Sequence, residues 1–281
     1  MAESKRMRAV SEPHLITRHL CFRHLCLRAL VLSTCLFFAC EDRHAVVIAG
    51  STSVQPYAEI LAEEFMILNT KNVIDIQGGG SSAGITAVET GTADIGMSSR
   101  ALKETEKHLW SIEIAKDGLA VIINPRNPIQ SLTLAQIRGI YAADFQNWGE
   151  LGGANAKIHI ITREEGSGTR SAFEELIMDV RRITARAIVQ DSNGAVRQLV
   201  ADDPSAIGFL SLGLVDNTVK ALRLDGIPAT RENIINGSYN LYRPFLFVSK
   251  DRPADTAMEY IDFIISPEGQ RLLSDEGLIP E

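Results

Sequence analysis

The chain has 281 residues, 45% of them hydrophobic and 22% charged, with a formal net charge of −7 and a sequence pI of about 5.5. At ~100–200 residues per domain, that length holds one large domain or two modest ones. The composition excludes a disordered chain, and the acidic balance excludes a basic surface of the kind that binds nucleic acid.

The N-terminal end has a composition of its own. All four cysteines, Cys21, Cys26, Cys35 and Cys40, lie in the first forty residues. The first 28 residues carry six basic and two acidic side chains, and an apolar run over 29–39 follows, broken only by Ser33 and Thr34. A basic segment ahead of a short apolar one reads as a secretory signal, here residues 1–39. At ~1.5 Å per residue such a run is too short to cross a ~30 Å hydrocarbon core as a helix. The run ends in Phe37-Phe38-Ala39-Cys40, which resembles a bacterial lipobox with Phe37 in the usual leucine position. Lipidation at Cys40 is the expectation; Leu32-Ser33-Thr34-Cys35 is a weaker second site, and an ordinary cleaved signal is the alternative. With the other cysteines removed, Cys40 has no disulfide partner. Taking six basic and two acidic residues from totals of 28 and 35 leaves 22 and 33, a net charge of −11 for the exported chain. Any anion bound by it must be held by local geometry against the overall charge.

From residue 45 onward, strand and helix patterns alternate. A buried strand is expected over 45–49, then a helix with Tyr57, Ile60, Leu61, Phe65 and Leu68 at helical spacing. Strands follow over 73–77 and 93–97 with a helix between them, and a fourth over 118–125 ends in a crossover containing Pro125 and Pro128. The second stretch repeats the theme with a helix over 132–141, a strand over 157–163, a helix after Thr169, a strand over 206–210, a strand over 242–248 and a helix over 255–265. His108 is expected solvated on a helix, near Lys103 and Lys107, and His159 packed or sheet-facing within a strand. This alternation favours an α/β fold with largely parallel sheets.

Three loops, Gly50–Ser53, Gly78–Ser82 and Gly166–Thr169, share a location and a chemistry. Each follows a strand, opens a helix, and mixes glycine with serine or threonine. The first amides of a helix lack intrahelical acceptors and sit at the positive end of its dipole. Glycine lets an anion approach the backbone closely, and the hydroxyls add donors. One such loop is an ordinary N-cap. Three in one chain, with Arg163 ahead of the third, point to a shared anion.

Nucleotide and enzyme readings are weaker. The P-loop spacing Gly-x-x-x-x-Gly-Lys-[Ser/Thr] does not occur, and the Gly78-Gly79-Gly80 run lacks the dinucleotide spacing. Gly80-Ser81-Ser82-Ala83-Gly84 fits a nucleophile elbow with Ser82 as nucleophile. The histidines beyond residue 44, His108 and His159, are poor candidates for its base. No cofactor and no metal-ligand cluster is expected.

At these loops the sequence resembles the phosphate-binding lipoproteins of bacterial ABC-type phosphate import systems, the PstS-like periplasmic binding proteins. The carrying residues are Gly50–Pro56, Gln77–Gly84, Gly91–Arg100 and Arg163–Thr169, accompanied by Asp117–Pro128 and Phe145–Trp148. The resemblance runs from about residue 46 to the C-terminus. It implies an exported type II periplasmic-binding-protein fold, periplasmic or held at the membrane by its lipid, with two α/β lobes hinged around a cleft. Lobe one would be 45–124 plus 240–281 and lobe two 125–239, with hinge strands at 125–128 and 239–244. Ser51, Thr52, Ser53, Ser81 and Ser82 would hold phosphate by hydroxyls and amides. Arg163 would supply the charged donor, held by Glu165, and Ser167, Gly168 and Thr169 would close over the anion from the other lobe. Some members carry an aspartate where Ser99 stands, accepting the proton of phosphate; here the acceptor and the preference over sulfate are open. Arg100 is either a second donor or lies outside the cleft paired with an acid. The resemblance implies a monomeric, non-catalytic protein that delivers phosphate to the membrane permease subunits of the importer; a sulfate or molybdate binder, and less so a Ser82 hydrolase, are the alternatives.

Overall fold

The structure, a computed structural model, describes residues 45–280, so the signal segment and Cys40 lie outside the described residues. The first turn of chain sets the pattern. Strand β1 (Val46–Gly50) alternates buried and half-buried residues. Helix α1 (Gln55–Leu68) carries Pro56 in its first turn, where a missing N–H costs nothing, and turns Tyr57, Leu61 and Phe65 to the interior. Then come β2 (Ile74–Gly78), α2 (Ser81–Thr90) and β3 (Ile95–Ser98), with β2 and β3 both parallel to β1.

The next strand, β4 (Trp110–Ile123), is the spine of the molecule. Its first part pairs antiparallel with β11 (Tyr242–Ser249), and its last five residues pair antiparallel with β8 (Ala206–Ser211). Between β4 and β8 in sequence lie β5 (Ser131–Leu132), α3 (Leu134–Tyr141), β6 (His159–Arg163), α4 (Gly168–Phe173) with a π-helical turn after it, β7 (Ile188–Gln190) and α5 (Asn193–Asp202). After β8 come β9 (Lys220–Ala221), β10 (Arg223–Leu224), α6 (Arg231–Ile235), then β11, α7 (Asp255–Ile265) and α8 (Pro267–Asp275). The main sheet runs β2-β1-β3-β11-β4-β8-β6-β7, with β9 on β4, and β10 pairs with β5. It is therefore mixed. The strands flanking each end are parallel, as alternation predicts, whereas the centre is antiparallel because the chain returns through β11.

Two sets of apolar residues divide along this spine. Ile114 and Ala115 of β4 join Ile48, Leu61, Phe65, Phe247 and Tyr260 in the first core. Leu119, Val121 and Ile123 join Tyr141, Trp148, Phe173 and Phe209 in the second. Ala120 and Ile122 point to the opposite face of the sheet, against Val196 and Val200 of α5. Each half is thus a sheet covered by helices. The chain crosses between the cores at Gly118–Leu119, ahead of the proline-bearing 125–128 segment, and returns between Leu241 in the second core and Phe245 in the first.

The histidine expectations hold in part: His108 is solvated and His159 lies in a strand, but the helix of the first and the packing of the second are not found. His108 follows a short 3-10 turn (Glu104–Glu106), not a helix, and is exposed. His159 opens β6 from an exposed position, with Nδ1 at 2.5 Å from Asp203 Oδ2.

Candidate functional site

The strands β1, β2, β3, β6 and β7 end on a common region, and the loops at their carboxyl ends meet there, the usual place for a ligand in an open α/β sheet. From the first half come Ser51, Thr52 and Ser53 after β1, Ser81 at the start of α2, and Ser99 after β3. Ser51 Oγ donates to Ser99 Oγ at 2.8 Å, and Ser99 N–H donates to Ser81 Oγ at 3.0 Å. Gly80 N–H reaches Gly50 O at 2.8 Å and fixes the second loop on the first.

From the second half come Arg163 at the end of β6, the loop 164–167, the first turn of α4, and Asn193 at the first turn of α5. The halves touch through polar groups. Ser53 Oγ lies 2.7 Å from Thr169 Oγ1 and accepts from Asn193 Nδ2 at 2.7 Å. Arg163 Nη2 donates to Thr52 Oγ1 at 3.1 Å, and Ser82 N–H donates to Gly166 O at 3.1 Å. Ser51, Ser53, Ser81, Ser99, Arg163, Ser167, Thr169 and Asn193 are all 2% exposed or less. Ser82 is half-buried. Ser167 caps α4, its Oγ accepting from Arg170 N–H at 3.2 Å.

Arg163 is locked from behind. Its Nε and Nη2 donate to the two carboxylate oxygens of Glu164, each at 2.9 Å, and Nη2 also reaches Asp191 O at 2.9 Å. The acid that holds it is Glu164; Glu165 is exposed. Nη1 keeps only a long 3.4 Å approach to Asn193 Oδ1, which leaves it the donor with most spare capacity. Asn193 was not singled out by sequence, although Asp191-Ser192-Asn193-Gly194 is a fourth loop of the same polar, glycine-bearing kind after a strand.

Arg100 takes the acid-paired alternative. It is buried, and its Nη1 and Nη2 donate to the two oxygens of Glu106 at 2.7 and 2.8 Å. Burial alone would raise the Glu106 carboxyl; hydrogen bonds from Arg100 and from Lys103 N–H outweigh it and hold the group below its ordinary range.

The Gly80–Gly84 pattern has a packing cause. A Cβ on Gly84 would lie 2.5 Å from Ala49 O, so this glycine lets α2 press against β1. His108 and His159 are engaged with Glu89 and Asp203, away from Ser82. Among the described residues no three His, Cys, Asp or Glu side chains converge as a metal site, and no helix is long and apolar enough to cross a membrane.

Residues 39–268 match the PBP superfamily domain. The phosphate-binding protein PstS of Bacillus subtilis is 32% identical over 242 residues, covering 84% of this chain and 80% of its own. The chain belongs to the PstS family of the PBP superfamily. Among solved structures, a substrate-binding protein ascribed to a phosphate ABC transporter of Clostridium perfringens, solved with bound phosphate, is 43% identical with a TM-score of 0.82. It covers 85% of this chain and is itself covered completely, at 100%. An ABC-type phosphate transport receptor from Vibrio cholerae is 38% identical with a TM-score of 0.71, covering 84% of this chain and 100% of its own. The two-lobed α/β fold is thus that of the periplasmic binding proteins, and the relatives are transport proteins that bind substrate.

Proposed function

We propose that this chain captures inorganic phosphate between its two halves and delivers it to the membrane permease subunits of an ABC importer. The observation that carries the reading is the buried meeting of Ser51, Ser53, Ser81 and Ser99 from one half with Arg163 and Thr169 from the other. Hydroxyls, first-turn amides and one guanidinium make a set of donors that suits an oxyanion. Thr52, Ser82, Ser167 and Gly168 border the same region and complete the proposed contacts. Arg100 braces the loop after Ser99 through Glu106 instead of touching ligand. The lobes would be 45–118 with 242–280, and 119–241, closing about the two crossings; phosphate favours the closed state by touching both. Function is binding, without catalysis. The protein works as an exported monomer, lipid-anchored through Cys40.

Calorimetric titration of the exported chain with phosphate, sulfate and arsenate, after removal of carried-over ligand by unfolding and refolding, tests this. One-to-one phosphate binding that exceeds sulfate binding, and that falls by about a hundredfold or more in Arg163→Met, is expected. A folded sample that binds none of the three, or prefers sulfate, overturns the reading.

A further inference from the structure

At the crossing between the two cores lies a second set of buried polar groups, none of them among the proposed ligand contacts. Asp117 of β4 and Arg243 of β11 face each other as register partners on the two crossover strands, 1% and 2% exposed. Arg243 Nε and Nη2 donate to Asp117 Oδ2 at 3.1 and 3.0 Å. The other carboxylate oxygen, Oδ1, accepts from Ser211 Oγ at 2.7 Å, and the Leu212 backbone amide also faces this carboxylate. Ser211 is the last residue of β8, on the far side of the crossing, while the pair itself belongs to the strands that cross.

The connection has a direction. Asp117 and Arg243 sit on paired strands. Ser211 ends β8, and Leu212 packs against the second core. The crossing itself has little slack: a Cβ on Gly118 would lie 2.6 Å from Ile234 Cδ1 and 2.8 Å from Leu212 Cδ2. Turning the second half about this point pulls the Ser211 donor off a carboxylate that is only 1% exposed to solvent, and an unmatched buried carboxylate oxygen is costly. We infer that Asp117, clasped between Arg243 and Ser211, is a positioning residue that biases the two halves toward the arrangement in which Ser53 meets Thr169 and Arg163 meets Thr52. This rests on the phosphate reading for its consequence, because a pre-set arrangement lowers the conformational cost of binding.

The test uses Ser211→Ala, which removes one hydroxyl, and Ser211→Thr, which keeps it. Phosphate affinity is measured by calorimetry, release by stopped flow, and the radius of gyration by X-ray scattering with and without phosphate. Ser211→Ala should bind phosphate about tenfold more weakly, mainly through faster release. Its phosphate-free radius of gyration should exceed that of the wild type, and saturating phosphate should restore it. Ser211→Thr should lie near wild type in each measurement. If Ser211→Ala keeps wild-type affinity and a wild-type phosphate-free radius of gyration, the set is only structural and the inference fails, whatever happens to thermal stability. Should the wild type itself bind no phosphate, the functional reading falls, and the phosphate-free scattering comparison still decides the clasp.

Discussion

Gly168 is a point of close approach between the two halves, beside the proposed ligand contacts. A Cβ there would lie 2.2 Å from Ser81 Oγ, 2.5 Å from Ser99 Oγ and 3.1 Å from Ser81 Cβ. Gly168→Ala should therefore weaken phosphate binding by about tenfold, since overpacking of this kind costs ~1–3 kcal/mol and falls on the closed arrangement alone. Unfolding of the phosphate-free variant should be almost unchanged; a calorimetric affinity equal to wild type would contradict the argument. Glu106 supports a second prediction at this scale. Its carboxyl titrates below its ordinary value of about 4.5 in the folded chain, so its contribution to stability is complete above that pH and is lost as pH falls through the lower folded value. Glu106→Gln should flatten that part of the acid-unfolding curve. It should also destabilise the protein at pH 7 by on the order of 3 kcal/mol, because it strands the buried Arg100 charge. The sequence shows the residue types of this site but not their pairings. Arg163 ahead of a Gly-Ser-Gly loop is visible as a charged donor, yet the choice of Glu164 over Glu165 depends on which carboxylate the turn after β6 points back. Asn193 joins only because α5 starts beside Ser53, a contact between residues 140 positions apart.

Among elements, α4 ties the site to the second core. Its first turn carries Gly168 and Thr169, and its end carries Phe173, which stacks on Phe209 of β8 with centroids 4.0 Å apart and also meets Tyr141 of α3 at 4.5 Å. Phe173→Ala should cost about 3–5 kcal/mol, measured by chemical denaturation, because the ring is fully buried and its cavity cannot collapse between β8 and α3. Phosphate affinity should fall as well, since Thr169 is only one helical turn from the cavity. Elements with a strong apolar period, such as α1 and α7, are readable in the sequence for the same reason that they are stable: each needs a buried stripe. The missed parts lack that signal. The first half of β4, from Trp110 to Lys116, mixes Ser111, Glu113 and Lys116 with its apolar residues, and α8 buries only Gly269 and Leu273. Their structure is set by pairing with β11 and packing on α7, which are long-range facts.

Over the whole molecule, strand alternation announces an α/β fold with parallel strands, but not that one long strand and one returning strand join its two halves. The antiparallel centre comes from residues 242–249 inserting between β3 and β4, a pairing that no local pattern encodes. The joining has an electrostatic counterpart. Arg163 is paired with Glu164, Arg100 with Glu106, and Arg243 with Asp117, so among the described residues each of the three deeply buried guanidiniums has its own carboxylate. The guanidinium charges at the centre are thus each matched by a carboxylate, while residues 40–281 together carry a net charge of −11. Phosphate therefore approaches against a repulsive long-range field and is held by short-range donors. Raising the salt screens the repulsion over ~10 Å at 0.1 M and leaves the buried hydrogen bonds almost untouched. The association rate for phosphate, followed by stopped flow, should accordingly rise by about two- to threefold between low and physiological sodium chloride, with little change in the dissociation rate. A rate that falls with salt would mean that the mouth of the cleft attracts anions despite the acidic surface, and the pairing of these arginines would then not describe the field that phosphate meets.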